Sequence, residues 1–258
     1  MRRNESFLLF LFILFLIVNI SNTLLTTDWW GGNTDYLTQT VVVVTSRGYG
    51  TGWWVNHDHI ITAYHVVEGA PDIKVVRGEW WGPAVVVHHD IAKDIAVLKV
   101  SNPPPWAKGL PLSSDLRLGD RVLVVGYPVQ LYFECQGNAT LMSISPRVAS
   151  GTISWISPDP SHPVAEIDVS TDAGNSGGPV VKAGVSGVVG IIVYARKGVV
   201  SEGYYILRSD AIAEELREAG IGFKVRYDLR PILAGIGLVA LVIGIIAIVL
   251  GGKRVAIN

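Results

Sequence analysis

Disulfide chemistry is missing from this sequence, which has one cysteine, Cys135, among 258 residues. A lone thiol makes no internal bridge and no cysteine-rich zinc site, so the fold must rest on its apolar core. Charge is also scarce. Charged residues make up 17% of the chain, against about 25% in an average soluble domain, and hydrophobic residues 49%, which excludes a disordered polyelectrolyte. Neither sign dominates: 21 Lys and Arg face 22 Asp and Glu, a net charge of -1 with no sustained basic run. Such a surface does not neutralise phosphates, so nucleic acid is not an expected partner. Internal repeats and low-complexity tracts are lacking too.

What the chain does have is apolar sequence, some of it gathered at its two ends. Residues 7–20 carry no charge and follow Arg2 and Arg3. That run is shorter than the roughly 20 residues of a full span, yet no A-x-A-like cleavage site follows at 21–25. The segment 7–25 therefore reads as a membrane anchor or a signal segment. Residues 232–252 form a second uncharged run, long enough to cross a bilayer as a helix. Lys253 and Arg254 follow it, so the positive-inside tendency puts the tails 1–6 and 253–258 in the cytoplasm and the stretch between outside; Arg226 and Arg230 pull weakly the other way. The expected location is the cell membrane, with the lipid bilayer as a partner.

Between about Gln39 and Leu207, short β-branched runs such as Thr40–Thr45, Ile95–Val100 and Val188–Tyr194 alternate with Gly, Pro, Asn and Asp. Strands at this spacing, without helical crossovers, specify an all-β fold, an antiparallel sandwich or barrel. Helical character is confined to Ser209–Ala219, where Ser209 can cap and Gly220 terminates. The Pro-rich stretch Asn102–Pro105, followed by Trp106–Leu110, reads as a connector between two β halves.

Chemistry concentrates at three places. The first is Gly174-Asn175-Ser176-Gly177-Gly178-Pro179, where glycines around a serine let backbone amides converge on a developing oxyanion. No Lys-Ser/Thr follows and no helix begins there, which excludes a phosphate-binding loop. The second is His65, just past a strand ending in a small-residue turn. The third is Asp94, an acid opening the apolar strand Ile95–Val100; an unpaired carboxylate there is costly, and an imidazole partner removes that cost. His57-Asp58-His59 and His88-His89-Asp90 are not read as metal sites: His88 and His89, adjacent in a strand, point to opposite faces, and both clusters sit at strand ends where polar residues are expected.

Gly50-Thr51-Gly52, Thr62–Val67, Asp94–Lys99 and Gly174–Pro179, in the order His, Asp, Ser, resemble the trypsin-like (chymotrypsin-fold) serine proteases, particularly the HtrA/DegP branch. Chymotrypsin's own triad runs along its chain in that order, unlike subtilisin's. The resemblance implies two six-stranded antiparallel β-barrels with the active site between them. The protease domain would occupy 38–220, with barrels at about 38–110 and 111–208, a connector near Pro103–Pro111, a closing helix, and a linker at 221–231. It implies Ser176 as nucleophile, His65 as general base and then acid, and Asp94 as the group that orients the imidazole and stabilises its cation. The amides of Gly174 and Ser176 would form the oxyanion hole. Ser170, Thr171, Val193, Tyr194 and Ala195 would line the primary pocket, with preference for small or medium apolar side chains unless Asp172 points into it. No cofactor and no metal are implied; the implied partners are polypeptide substrates and, as in many HtrA-like enzymes, further copies of the chain.

The sequence also departs from that family. No PDZ domain follows the protease part before the second apolar segment. Ala63 and Tyr64 stand where Asn-Asn or similar is usual. The segment 129–149, with Cys135 and the Asn138-Ala139-Thr140 glycosylation acceptor, is long, and reads as a lid or as a surface insertion. The expected function is a membrane-anchored serine endopeptidase that cleaves exposed or misfolded polypeptides outside the cytoplasm. The alternative is a catalytically silent, membrane-tethered peptide-binding or chaperone module on the same fold. A reporter fused after Asn258 should be shielded from reagents added to intact cells; its labelling from outside would overturn the topology.

Overall fold

The computed structural model describes residues 35–170, 172–184, 187–193 and 204–227, with isolated positions in the terminal segments. The chain divides into a compact unit at residues 34–227 and a second unit formed by 1–33 with 228–258. Among the described residues no helix is long and apolar enough to cross a membrane. The expected segments 7–25 and 232–252 lie, apart from those isolated positions, outside the described residues.

The first barrel contains β1 (Thr40–Thr45), β2 (Gly48–Trp54), β3 (His59–Ala63), β4 (Ile73–Arg77), β5 (Trp80–Asp90) and β6 (Ile95–Val100). It closes in the order β1-β2-β3-β6-β5-β4. Two short helices accompany it, α1 (Asp35–Gln39) before β1 and α2 (Tyr64–Val67) after β3. Strand β2 is glycine-rich because its neighbours leave no space: a Cβ on Gly50 would lie 2.5 Å from a methyl of Val66, and one on Gly52 2.8 Å from a methyl of Ile60. Alternation along β2 sends its two tryptophans to opposite faces. Trp54 fills the first barrel with Val41, Ile60 and Leu98, its ring meeting Trp80 and Trp106. Trp53 faces the other way, into the core shared with the second barrel.

The second barrel is built from β8 (Arg121–Gly126), β9 (Arg147–Ile156), β10 (Val164–Ile167), β11 (Pro179–Lys182), β12 (Val188–Ile192) and β13 (Tyr204–Arg208). Pairing of β11 with both β8 and β12 closes it. The two-residue strands β7 (Leu112–Ser113) and β14 (Val225–Arg226) add to its edge in parallel, the exception to an otherwise antiparallel fold. The all-β architecture of two six-stranded barrels is therefore as expected.

Helices are more numerous than the sequence implied. Within 129–149 stand α3 (Val129–Glu134) and α4 (Ala139–Met142), the latter capped by the Asn138 side chain, which accepts from the Leu141 amide. This segment is docked on the first barrel. Met142 and Tyr127 pack with Val42 and Val76, and the Arg77 guanidinium donates to the carbonyls of Ser143 and Ile144. Helix α5 (Ser209–Glu218) closes the fold. Its N-cap is Arg208 rather than Ser209, because the Ser209 hydroxyl donates to the Ser113 carbonyl at 2.6 Å. Gly220, at φ +68°, ends it: the amides of Gly220 and Ile221 reach the carbonyls of Arg217 and Leu216.

The apolar face of α5 buries Ala211, Ile212 and Leu216 in the shared core with Trp53, Ile61 and Ile191. Glu215 is buried on the same helix, its carboxylate held by Lys93 Nζ at 2.5 Å and by His88 Nε2 at 2.7 Å. The hydrogen bond from Lys93 to Glu215 raises the lysine above its ordinary pKa, against the opposing effect of burial. A raised folded-state value means that this contribution to stability is full below the unfolded value of about 10.4 and is lost as pH rises through the folded value. Lys93→Met should therefore lower the urea midpoint at neutral pH, and the wild-type advantage should shrink in strong alkali. An advantage that stays constant across that range would contradict the pairing.

Candidate active site

His65 stands in the first turn past β3, and Asp94 in the turn that leads into β6, the strand paired with β3. Pairing of Ala63 with Ile95 therefore brings the two side chains together from 29 residues apart. Asp94 grips His65 at two points: Oδ1 accepts the His65 amide at 2.9 Å and Oδ2 bonds Nδ1 at 2.8 Å. An ionised carboxylate only accepts, so Nδ1 must carry the hydrogen, which leaves the lone pair on Nε2 for general-base work. The acid sits at φ +54°, a left-handed conformation costing about 1–2 kcal/mol in a residue with a Cβ. The Asp94 carbonyl accepts the Tyr64 amide at 3.1 Å, fixing the turn from the other side. Tyr64, an unexpected residue beside the histidine, stacks on His89 with ring centroids 4.8 Å apart.

Ser176 arrives from the second barrel, on the loop before β11. The loop is stitched to β2. The Thr51 amide donates to the Ser176 carbonyl at 2.9 Å, the Thr51 hydroxyl donates to the Gly174 carbonyl at 2.6 Å, and the Tyr127 amide donates to that hydroxyl at 3.0 Å. Two glycines are required by this path. Gly174 has φ +94° and a Cβ there would lie 2.3 Å from the Tyr127 carbonyl oxygen; Gly177 has φ +81° and a Cβ would lie 2.3 Å from that of Thr51. Among the described residues no backbone carbonyl accepts from the amides of Gly174 or Ser176, whereas the Asn175 amide between them is tied to Asp172 at 3.1 Å. Two untied amides flanking a tied one are what an oxyanion site needs.

His65, Gly174 and Ser176 line one cavity of about 430 Å³, together with Tyr49, Asp172, Ile192, Val193 and Tyr204. That volume lies within the range of ligand sites. Of the residues expected at the primary pocket, Val193 lines this cavity, and Ser170 is exposed with its hydroxyl bonded to that of Tyr204 at 3.0 Å. Thr171, Tyr194 and Ala195 lie outside the described residues. Asp172 does line the cavity, so its wall is not wholly uncharged. Tyr49 was not anticipated. Its ring stacks on Tyr132 of α3 at 5.3 Å, and burial, followed by the proximity of Tyr132, pushes its phenol up to about 12, so it stays protonated through the physiological range. The aromatic residue preceding Gly50-Thr51-Gly52 was the available signal.

His88 and His89 do point to opposite faces, one to Glu215 and the other to Tyr64. Donor atoms of His88, Glu215 and Glu218 lie within 4.8 Å of one another, but the Lys93 ammonium already occupies Glu215.

The family profile of the trypsin-like peptidase domain matches residues 50–191. The chain belongs to that family of peptidases. Its relatives include serine proteases named Do-like or HtrA. The chloroplastic protease Do-like 1 of Arabidopsis thaliana is 31% identical over 54% of this chain and 32% of its own length. The serine protease Do-like HtrB of Bacillus subtilis is 33% identical over 63% and 36%. The chain thus spans about a third of the length of these relatives. Among solved structures, an inactive form of the Mycobacterium tuberculosis serine protease Rv3671c has a TM-score of 0.57 at 23% identity, covering 76% of this chain and 92% of that one. At that identity the likeness speaks for the fold.

Gly174→Ala should slow labelling by a fluorophosphonate probe by on the order of 10²-fold or more while the protein remains folded by circular dichroism. Unchanged labelling would mean that the Gly174 amide takes no part.

Proposed function

We propose that the chain is a serine endopeptidase in which Ser176 attacks the scissile carbonyl, His65 takes and returns the proton, and Asp94 holds the imidazole and its cation. The observation that carries this reading is the two-point Asp94–His65 bond facing the cavity that Ser176 also lines. Attack forms the Ser176 Oγ–carbonyl bond as Nε2 accepts the hydroxyl proton. The resulting oxyanion is met by the Gly174 and Ser176 amides, and the same proton then leaves with the amine. Water repeats the sequence on the acyl-enzyme.

Substrates are exposed or misfolded polypeptides, a reading supported by the open cavity and by relatives named as Do-like serine proteases. Ile192 and Val193 favour a small or medium apolar side chain next to the cleaved bond, with Asp172 at the cavity wall. The uncharged runs at 7–20 and 232–252 and their flanking cations support a membrane-anchored enzyme acting outside the cytoplasm.

A fluorophosphonate probe should label the wild type and fail to label Ser176→Ala. A folded wild type that does not label would overturn the enzymatic reading in favour of a silent peptide-binding module.

A further inference from the structure

Behind the catalytic acid lies an ion-pair cluster that the reaction itself does not use. We infer that Glu215 of α5 is a positioning residue for this chemistry, holding through Lys93 the turn that presents Asp94 to His65. The inference rests on the reading of Asp94, His65 and Ser176 given above.

The turn needs an anchor. Asp94 stands in a left-handed conformation, which persists in a residue with a Cβ only where its surroundings dictate it. The turn's own apolar residue supplies no such anchor, since Ile91 is 66% exposed. Within the turn, the Asp90 side chain accepts the Lys93 amide at 2.9 Å, and the Asp94 amide reaches the Ile91 carbonyl at a long 3.3 Å. The Tyr64 amide holds the Asp94 carbonyl from the side of β3 at 3.1 Å, and a further polar grip comes from α5. Lys93, immediately before Asp94, places its ammonium 2.5 Å from Glu215 Oε1 and 3.3 Å from Glu214 Oε2.

Glu215 is suited to this role because it cannot move far. Its side chain is 2% exposed, and its second oxygen is held by His88 Nε2 at 2.7 Å. His88 lies on β5, the strand that enters the turn, and Lys93 lies where the chain leaves it. One buried carboxylate thereby clamps both sides of the turn. The next residue on β5, His89, stacks on Tyr64 beside His65, so the same strand end supports base and acid together. A salt bridge of this kind is weak as a source of stability, but losing one partner of a buried carboxylate leaves an uncompensated charge that the local structure must move to relieve. A displacement of about 1 Å at Asp94 is enough to cost on the order of 10²-fold in rate.

The test is the inactivation of the whole protein by a fluorophosphonate, separated into kinact and KI. Glu215→Gln and Lys93→Met should each lower kinact by about 10–10²-fold with KI unchanged, and Lys93→Arg should retain most of the rate. The double variant should cost no more than either single one, as two groups on one path require, whereas independent structural damage would add. If Glu215→Gln fails to fold, Lys93→Met carries the test, since that side chain is partly exposed. A wild type that labels at Ser176, with kinact unchanged in Lys93→Met or with additive losses in the double variant, overturns this inference alone. A folded wild type that does not label overturns the underlying reading first and this one with it.

Discussion

The site depends on a seam of hydrogen bonds centred on Thr51. His65 and Asp94 belong to the first barrel and Ser176 to the second, so nothing in either barrel alone fixes their relation. Thr51 of β2 supplies that relation. Its amide holds the Ser176 carbonyl, its hydroxyl holds the Gly174 carbonyl while accepting the Tyr127 amide, and its own carbonyl accepts the Thr62 hydroxyl at 2.8 Å, one strand over. The Ser176 loop is in effect hydrogen-bonded to the sheet that leads to His65. The close approach this requires accounts for Gly177, where a Cβ would lie 2.3 Å from the Thr51 carbonyl oxygen, and contributes at Gly50, where one would lie 3.2 Å from that of Ser176.

Apolar packing backs the seam. Trp53, Ile61, Ile95 and Val97 from the first barrel meet Val181, Val188, Ile191 and Leu207 from the second, with Ile212 and Leu216 of α5 completing the core. The long segment 129–149 adds a further bridge, running from the second barrel to lie on β1 and β4 of the first. It reaches the cavity through the stack of Tyr132 on Tyr49. Met142, packed with Tyr127, and the Arg77 guanidinium on the carbonyls of Ser143 and Ile144 tie the segment down.

What was legible in the sequence was local. Ser176 among its glycines, His65 after a strand and Asp94 before one are each recognisable from a few neighbouring residues, because the chemistry demands those residues and the strand periodicity places them. Strand β2 was hidden by its glycines, which weaken a strand signal yet are required by Val66 of α2 and Ile60 of β3. The short helices in 129–149 and the helical turn holding His65 fall below the length at which periodicity speaks. Ser209 reads as a helix cap only until its partner 96 residues away is known. The contacts of Glu215 with Lys93 and His88 are long-range and leave no pattern in the sequence.

The central claim is chemical: the Ser176 hydroxyl is made reactive by an imidazole that Asp94 holds. Mass spectrometry that locates the fluorophosphonate adduct tests it most directly. The adduct should fall on Ser176 alone and should be suppressed in both His65→Ala and Asp94→Ala. An adduct on another residue, or one on Ser176 that forms as fast without His65, would contradict it.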